Sequence, residues 1–243
     1  MASQILIIAG HDSSGHAGLV RDVSVVSSKG FWPAVVLTAL TVQSKTRFFS
    51  SRVVSKSFLK QQLQSWSSVN QFSAVKIGML GDGSIVKTVA GFLSRRKIPV
   101  VLDPVLVSTT GGRLLSRAGA KLMLDCLVPK TSLWTPNVAE ASYFFGREIK
   151  SKKDVSEAAQ FLFSKTNTPL LIKGFVWEKK VYDFFMDSNH KRWFLSPLLS
   201  THPRGTGCAL SSFLACALGK GMSIEQAVMK GRKDFKHWLS FKS

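Results

Sequence analysis

Cysteine, acidic side chains and long apolar runs are all scarce in this chain, and each shortage removes a class of protein. Apolar residues nowhere run uninterrupted for the ~18 positions that a membrane-spanning helix needs. The three cysteines, Cys126, Cys208 and Cys216, form no C-x-x-C pair and leave one over. That is poor material for a disulfide framework or a zinc site, and it fits a reducing compartment. With no internal repeat, low-complexity tract or Pro/Gly/Ser linker, the 243 residues are expected to form one domain, 1–243. The N-terminus opens directly into Gln4-Ile5-Leu6-Ile7-Ile8-Ala9-Gly10 with no basic leader, so a cytoplasmic protein is expected. Asp and Glu number 14 against 33 Lys and Arg, a formal net charge of +19. Such a charge suits nucleic acid, a membrane surface, or a field that attracts anions such as nucleotides. The basic residues are nevertheless spread out, with no run of five. The clusters Arg95-Arg96-Lys97, Lys150 to Lys153 and Lys230 to Lys236 carry no reading motif. They read as a solvated surface, with neither nucleic acid nor membrane as a partner.

What the chain has is apolar residues, 45% of the total, in short runs that alternate with amphipathic stretches. Strands are expected at Gln4–Gly10, Ala34–Leu40, Ala74–Leu80, Val100–Leu106, Leu133–Asn137, Pro169–Gly174, Val181–Met186 and Arg192–Ser196. Several are apolar almost throughout, as parallel strands covered on both faces are. Helices are expected at Ser57–Val69, with Phe58, Leu59, Leu63 and Trp66 near one face, and at Ile85–Arg96 and Asp154–Ser164. The alternation predicts βαβ units and a doubly wound, mostly parallel sheet. Val181–Met186 and Arg192–Ser196, split by Asp187-Ser188-Asn189-His190, read instead as a hairpin. Ligands of such a sheet bind beyond the carboxyl ends of its strands.

The segment Arg204-Gly205-Thr206-Gly207-Cys208-Ala209-Leu210 leads from a flexible turn into an apolar helix that stops at Gly219-Lys220-Gly221. Gly205 and Gly207 let backbone N–H groups converge at the helix N-terminus, which makes an anion site able to steady a transferring phosphoryl group. An ordinary glycine turn before a core helix is the plain alternative. Cys208 falls in the first turn, where a thiol pKa tends to drop; it acts as a base, polarises a hydroxyl, or simply fills space. Cys216 reads as core.

With these residues in hand, the chain resembles the hydroxymethylpyrimidine/phosphomethylpyrimidine kinases of thiamine synthesis, members of the ribokinase-like superfamily. Its G-T-G-C turn stands where the superfamily usually has G-x-G-D, which implies Cys208 at the base position and Gly205, Thr206 and Gly207 as the anion hole. The stretch Ala9-Gly10-His11-Asp12-Ser13-Ser14-Gly15-His16-Ala17-Gly18 with Arg21-Asp22 is similar to the family's A-G-x-D-x-S-G-G-A-G-x-x-A-D, with His16 for a glycine and Arg21 for alanine. There Gly10 lets backbone approach the ligand and, by resemblance, Asp22 faces the hydroxymethyl end. Thr38-Ala39-Leu40-Thr41-Val42-Gln43 resembles T-A-L-x-x-Q, and the Gln43 amide can donate and accept to an aminopyrimidine edge. Lys76-Ile77-Gly78-Met79-Leu80 matches K-I-G-M-L, which places Met79 against the ring.

Val101-Leu102-Asp103-Pro104-Val105 and Thr135-Pro136-Asn137-Val138-Ala139-Glu140 match V-x-D-P-V and T-P-N-x-x-E. The resemblance implies that Asp103 and Glu140 organise Mg²⁺, partly through water; Asn137 with Glu140 also reads as a helix-capping pair. Leu171-Ile172-Lys173-Gly174 resembles L-I-K-G-G, with Lys173 near the nucleotide phosphates and Phe175 in place of the second glycine. Where the family has T-H-G-T-G-C, this chain has Thr201-His202-Pro203-Arg204 before Gly205. Either two residues are inserted or Arg204 takes the histidine's place, where it could bind phosphate beside Thr206. The resemblance implies a ribokinase-like α/β/α sandwich, ATP and Mg²⁺, a small pyrimidine alcohol as substrate, and a homodimer. Pyridoxal or pyridoxine kinase, and a ligand-binding homologue impaired at His16, Phe175 and Arg204, are the competing readings.

Overall fold

The computed structural model describes residues 3–66, 72–94, 96–109, 111–198 and 204–240. Its elements run β1 (Gln4–Asp12), α1 (Gly18–Ser28), β2 (Trp32–Gln43), β3 (Phe48–Val53), α2 (Lys56–Ser65), β4 (Phe72–Ile77), α3 (Gly83–Leu93), β5 (Val100–Leu102) and α4 (Arg117–Leu122). They continue with β6 (Leu133–Trp134), α5 (Val138–Phe145), α6 (Lys152–Thr166), β7 (Leu170–Trp177), β8 (Lys180–Met186), β9 (Lys191–Pro197), α7 (Thr206–Gly219) and α8 (Ile224–Ser240).

These strands form one sheet in the order β3-β2-β1-β4-β5-β6-β7-β8-β9. Neighbours from β2 through β7 are parallel, while β3 at one edge and β8 and β9 at the other are antiparallel. Helices cover both faces. Leu6 and Ile8 of β1 pack with Leu59 and Leu63 of α2 and Val86 and Val89 of α3. Ile5, Ile7 and Ala9 turn the other way, onto Leu19 and Val26 of α1 and Cys216 of α7. This two-sided burial is why β1 reads as an unbroken apolar run. Burying one such Leu or Ile stabilises the fold by roughly 1.5–3 kcal/mol, so β1 is a firm base for the loop that follows it. From β1 the chain winds outward to β2 and then returns to β4 on its other side. The β1–β4 boundary is thus the switch point where a crevice opens at the strands' carboxyl ends.

The expected doubly wound sheet and the β8–β9 hairpin are present; Asp187 N–H closes the hairpin onto the His190 carbonyl at 3.0 Å. Three expectations need correction. The edge strand β3, with the polar Ser50, Ser51 and Arg52 among its six residues, has too little apolar alternation to be seen in the sequence. β5 and β6 stop at Leu102 and Trp134, short of Leu106 and Asn137, because Pro104 and Pro136 follow and cannot donate to a ladder. In α2, Leu59 and Leu63 are buried but Phe58 faces solvent; the end of the expected Ser57–Val69 helix lies outside the described residues, as does Arg95 in the expected Ile85–Arg96 helix.

Candidate active site at the carboxyl ends of the strands

A cavity of about 670 Å³ opens over the ends of β1, β2, β4, β5 and β7, and its walls include Gly10, Gln43, Met79, Asp103, Glu140, Lys173, Arg204, Gly205, Thr206, Gly207 and Cys208. At one end, Met79 packs with Ala39 and Leu114 and presses so closely on Gly10 that a Cβ there would lie 2.8 Å from its sulfur. Gln43, at the tip of β2, donates from Nε2 to Thr41 Oγ1 at 2.9 Å.

At the other end α7 begins. Its cap, Gly205, has φ +76°, and a Cβ there would stand 2.1 Å from the His16 carbonyl. Only glycine serves, and the turn is seated directly on the β1–α1 loop. Two residues on, a Cβ at Gly207 would lie 3.3 Å from Lys173 Nζ and 3.6 Å from Asp103 Oδ2. The first backbone turn of α7, with its partial positive charge, therefore sits over an ammonium and a carboxylate brought from β7 and from the end of β5. Lys173 donates to Asp103 Oδ1 at 2.5 Å and to Thr135 Oγ1 at 3.4 Å. Burial alone would lower the Lys173 ammonium, but Asp103 and Glu140 outweigh it and hold the group above its ordinary value.

Glu140 closes the capping box of α5, accepting the Asn137 N–H at 2.8 Å. Burial lifts its carboxyl to about 7; Lys173 opposes that shift and Asp103 adds to it. Two acidic side chains, Asp103 and Glu140, brought together beside a phosphate-type cradle suit a divalent cation. Among the described residues no group of three or more His, Cys, Asp or Glu gathers. The donor set is thus oxygen-only and incomplete, as fits Mg²⁺, which keeps several waters and takes phosphate oxygens.

Several site expectations are corrected. Asp22 does not face the cavity. It is fully buried in α1, paired with Lys76 at 2.6 Å and accepting from Ser212 Oγ at 2.9 Å. It is equally no surface carboxylate. The Cys208 thiol is not lowered: burial in the cavity wall pushes it up to about 11, against the pull of Lys76. Desolvation there overrides the helix dipole, and the group is a neutral thiol at neutral pH. Arg204 lines the cavity at the Gln43 end rather than beside Lys173, donating to Gln43 Oε1 at 2.7 Å; Thr201, His202 and Pro203 lie outside the described residues. His16 hydrogen-bonds the Ser14 carbonyl at 2.7 Å and is not part of the cavity lining. Phe175 is buried in the main core, stacked on Trp177.

Two features escape the sequence reading. Lys76 lies fully buried beneath the cavity, its ammonium held up by Asp22, Cys208 and Asp103 against the lowering effect of burial. On the α8 side, Asp183 holds Arg232 at 2.7 Å and also accepts the Gly174 N–H at 2.8 Å. The K-I-G-M-L motif was the available signal for Lys76; nothing local marks the Asp183–Arg232 pair.

Against known proteins, the family model described as phosphomethylpyrimidine kinase matches residues 12–239. The chain belongs to the phosphomethylpyrimidine kinase family. It is 34% identical to the hydroxymethylpyrimidine/phosphomethylpyrimidine kinase of Aquifex aeolicus over 233 residues, covering 95% of this chain and 91% of the relative. The enzyme of the same name from Streptomyces coelicolor is 32% identical over 230 residues, covering 94% and 86%. Among solved structures, phosphomethylpyrimidine kinase from Clostridium difficile 630 superposes with TM-score 0.85 at 26% identity, covering 98% of this chain and 99% of the other. Pyridoxal kinase from Staphylococcus aureus in complex with pyridoxal gives 0.86 at 26% identity, covering 96% and 86%. The fold is thus the ribokinase-like one, and the protein is a small-molecule kinase of this family. Among the described residues no helix is long and apolar enough to cross a membrane.

Proposed function

We propose that this kinase transfers the γ-phosphoryl group of ATP to the hydroxymethyl oxygen of 4-amino-5-hydroxymethyl-2-methylpyrimidine, and then phosphorylates the resulting monophosphate. One observation carries the reading: the Gly205–Cys208 turn meets Lys173 and Asp103 in the same cavity that holds Gln43 and Met79. Met79 offers an apolar, polarisable surface to the ring, and the Gln43 amide addresses its polar edge. The backbone N–H groups at the start of α7 and the Lys173 ammonium receive the negative charge that spreads over the migrating phosphoryl group. The substrate oxygen bonds to the γ-phosphorus as the bridge to ADP breaks. Because that transition state is loose, no strong base is required, and the hydroxyl proton leaves to the phosphate oxygens. Cys208, a neutral thiol, polarises the hydroxyl. Asp103 and Glu140 would hold Mg²⁺, which supplies neutralisation of the β- and γ-phosphate oxygens.

Pyridoxal kinase is the second reading, favoured by the likeness to the Staphylococcus aureus enzyme. A binding protein without turnover keeps Arg204 alone of its three motives, since neither His16 nor Phe175 lines the cavity. ADP release measured side by side with the pyrimidine alcohol, its monophosphate, pyridoxal and pyridoxine tests all three. Turnover highest with the pyrimidines is expected; highest turnover with pyridoxal replaces the substrate, and none with any alcohol defeats the assignment. A cytoplasmic homodimer belongs to the same reading, and sedimentation at twice the 26.7 kDa chain mass checks its assembly.

A further inference from the structure

Arg204 is one of the departures from the family pattern, and its side chain is only 10% exposed. Its Nε donates to Thr109 Oγ1 at 3.3 Å. One terminal nitrogen reaches Ser14 Oγ at 3.2 Å and the Ser44 carbonyl at 2.5 Å. The other reaches Gln43 Oε1 at 2.7 Å and Asp12 Oδ2 at 3.4 Å. A guanidinium carries five N–H groups and no acceptor, and these contacts engage every one. Arg204 therefore has no donor to spare for a nucleotide phosphate. It instead joins the β1–α1 loop, the β2–β3 turn and the segment after β5 to the entrance of α7, immediately before Gly205.

The same chemistry fixes the orientation of Gln43. Because Arg204 can only donate, the amide atom facing it is the carbonyl oxygen. Nε2 is then turned to Thr41 Oγ1, whose own proton goes to the His11 carbonyl at 3.0 Å. Every bond in the series Arg204, Gln43, Thr41, His11 has one possible direction, so the amide cannot flip without breaking two of them.

We propose that Arg204 is a positioning residue for the acceptor: it holds the Gln43 amide in one polarity and ties the acceptor pocket to the anion-binding turn. The pocket thereby presents the Gln43 amide to the acceptor ring in a single polarity. This rests on the reading of Gln43 as the ring contact.

The test compares wild type with Arg204→Ala, Arg204→Lys, Gln43→Ala and the Arg204→Ala/Gln43→Ala double variant. KM for the pyrimidine alcohol, KM for ATP and kcat are measured, with calorimetric Kd for the alcohol in the absence of ATP. Arg204→Ala is expected to raise acceptor KM and Kd by about tenfold or more, the effect of leaving a buried polar partner unmatched, with KM for ATP unchanged within about twofold. Arg204→Lys recovers only part, since an ammonium has three donors and cannot span five partners; it also carries the test if the alanine variant does not fold. In the double variant the two losses are expected to overlap rather than multiply. A rise in ATP KM with acceptor KM unchanged, or fully multiplicative losses, overturns the proposal. Wild type that binds the alcohol but does not turn over overturns the kinase reading while the Kd comparison still decides Arg204. Wild type that does neither overturns both.

Discussion

At Glu140 the folded chain holds a carboxyl that titrates at about 7 against an ordinary value of 4.5, chiefly because it is buried. Between those values the folded state binds a proton that the unfolded state has released, so this residue lowers stability as pH rises from about 4.5 to about 7, and the loss then levels off. Glu140→Gln keeps an acceptor for the Asn137 N–H and removes the charge. Its melting temperature, relative to wild type, is expected to climb across that pH window, by the equivalent of a few kcal/mol at most; a pH-independent difference counts against the buried charge. At Cys208, burial keeps the thiol protonated. Cys208→Ala is expected to lower kcat by about a hundredfold, the scale of losing one transition-state contact, with melting little changed. The kcat profile should show no thiol ionisation from about pH 6 to about pH 9. The places of Gln43 and Met79 on the cavity wall were legible because each stands at the end of an apolar run, and that of Cys208 because its glycine turn opens an apolar helix. Lys76 was not: a lysine inside a strand gives no sign that its partner, Asp22, lies 54 residues earlier.

Among the elements, the start of α7 separates two kinds of glycine. At Gly205 the backbone is left-handed and an added methyl meets the His16 carbonyl, whereas at Gly207 it meets only the flexible Lys173 terminus and the Asp103 carboxylate. Gly205→Ala is expected to lower the melting temperature by roughly 4 °C or more, from left-handed strain of about 1–2 kcal/mol plus the clash. Gly207→Ala should melt close to wild type yet turn over far more slowly, because the methyl occupies the space a phosphate needs. Differential scanning calorimetry with steady-state kinetics separates the two; equal loss of stability in both removes the distinction. The helix and its glycines are visible in the chain, but their docking on residues 16 and 17 is not, since contacts across the sheet leave no local period. The hairpin of β8 and β9 was readable for the opposite reason, its Asp187–His190 turn being local. β3 was lost because an edge strand with three polar residues satisfies no apolar template.

Over the whole molecule, 33 basic residues stand against 14 acidic ones, a net positive charge whose field would draw a polyanionic nucleotide. The field is screened over about 10 Å at 0.1 M salt. KM for ATP is therefore expected to rise severalfold between about 0.05 M and about 0.5 M salt while KM for the uncharged alcohol stays level. Kinetics at fixed free Mg²⁺ check this, and a salt-indifferent ATP KM assigns the charge to the surface alone. The α/β alternation made the doubly wound class visible. The strand order did not emerge from the sequence, because apolar runs of similar length carry no label saying which neighbours which. One buried arrangement also bears on how the chain is made. Asp22 leaves the ribosome long before Ser212, 190 residues behind it, and its mate Lys76 is itself far off. Until α7 emerges, that carboxylate has no complete dry socket and must stay hydrated. Segments made far apart in time consequently lock together only once α7 has emerged, a long-range closure that is slow by nature.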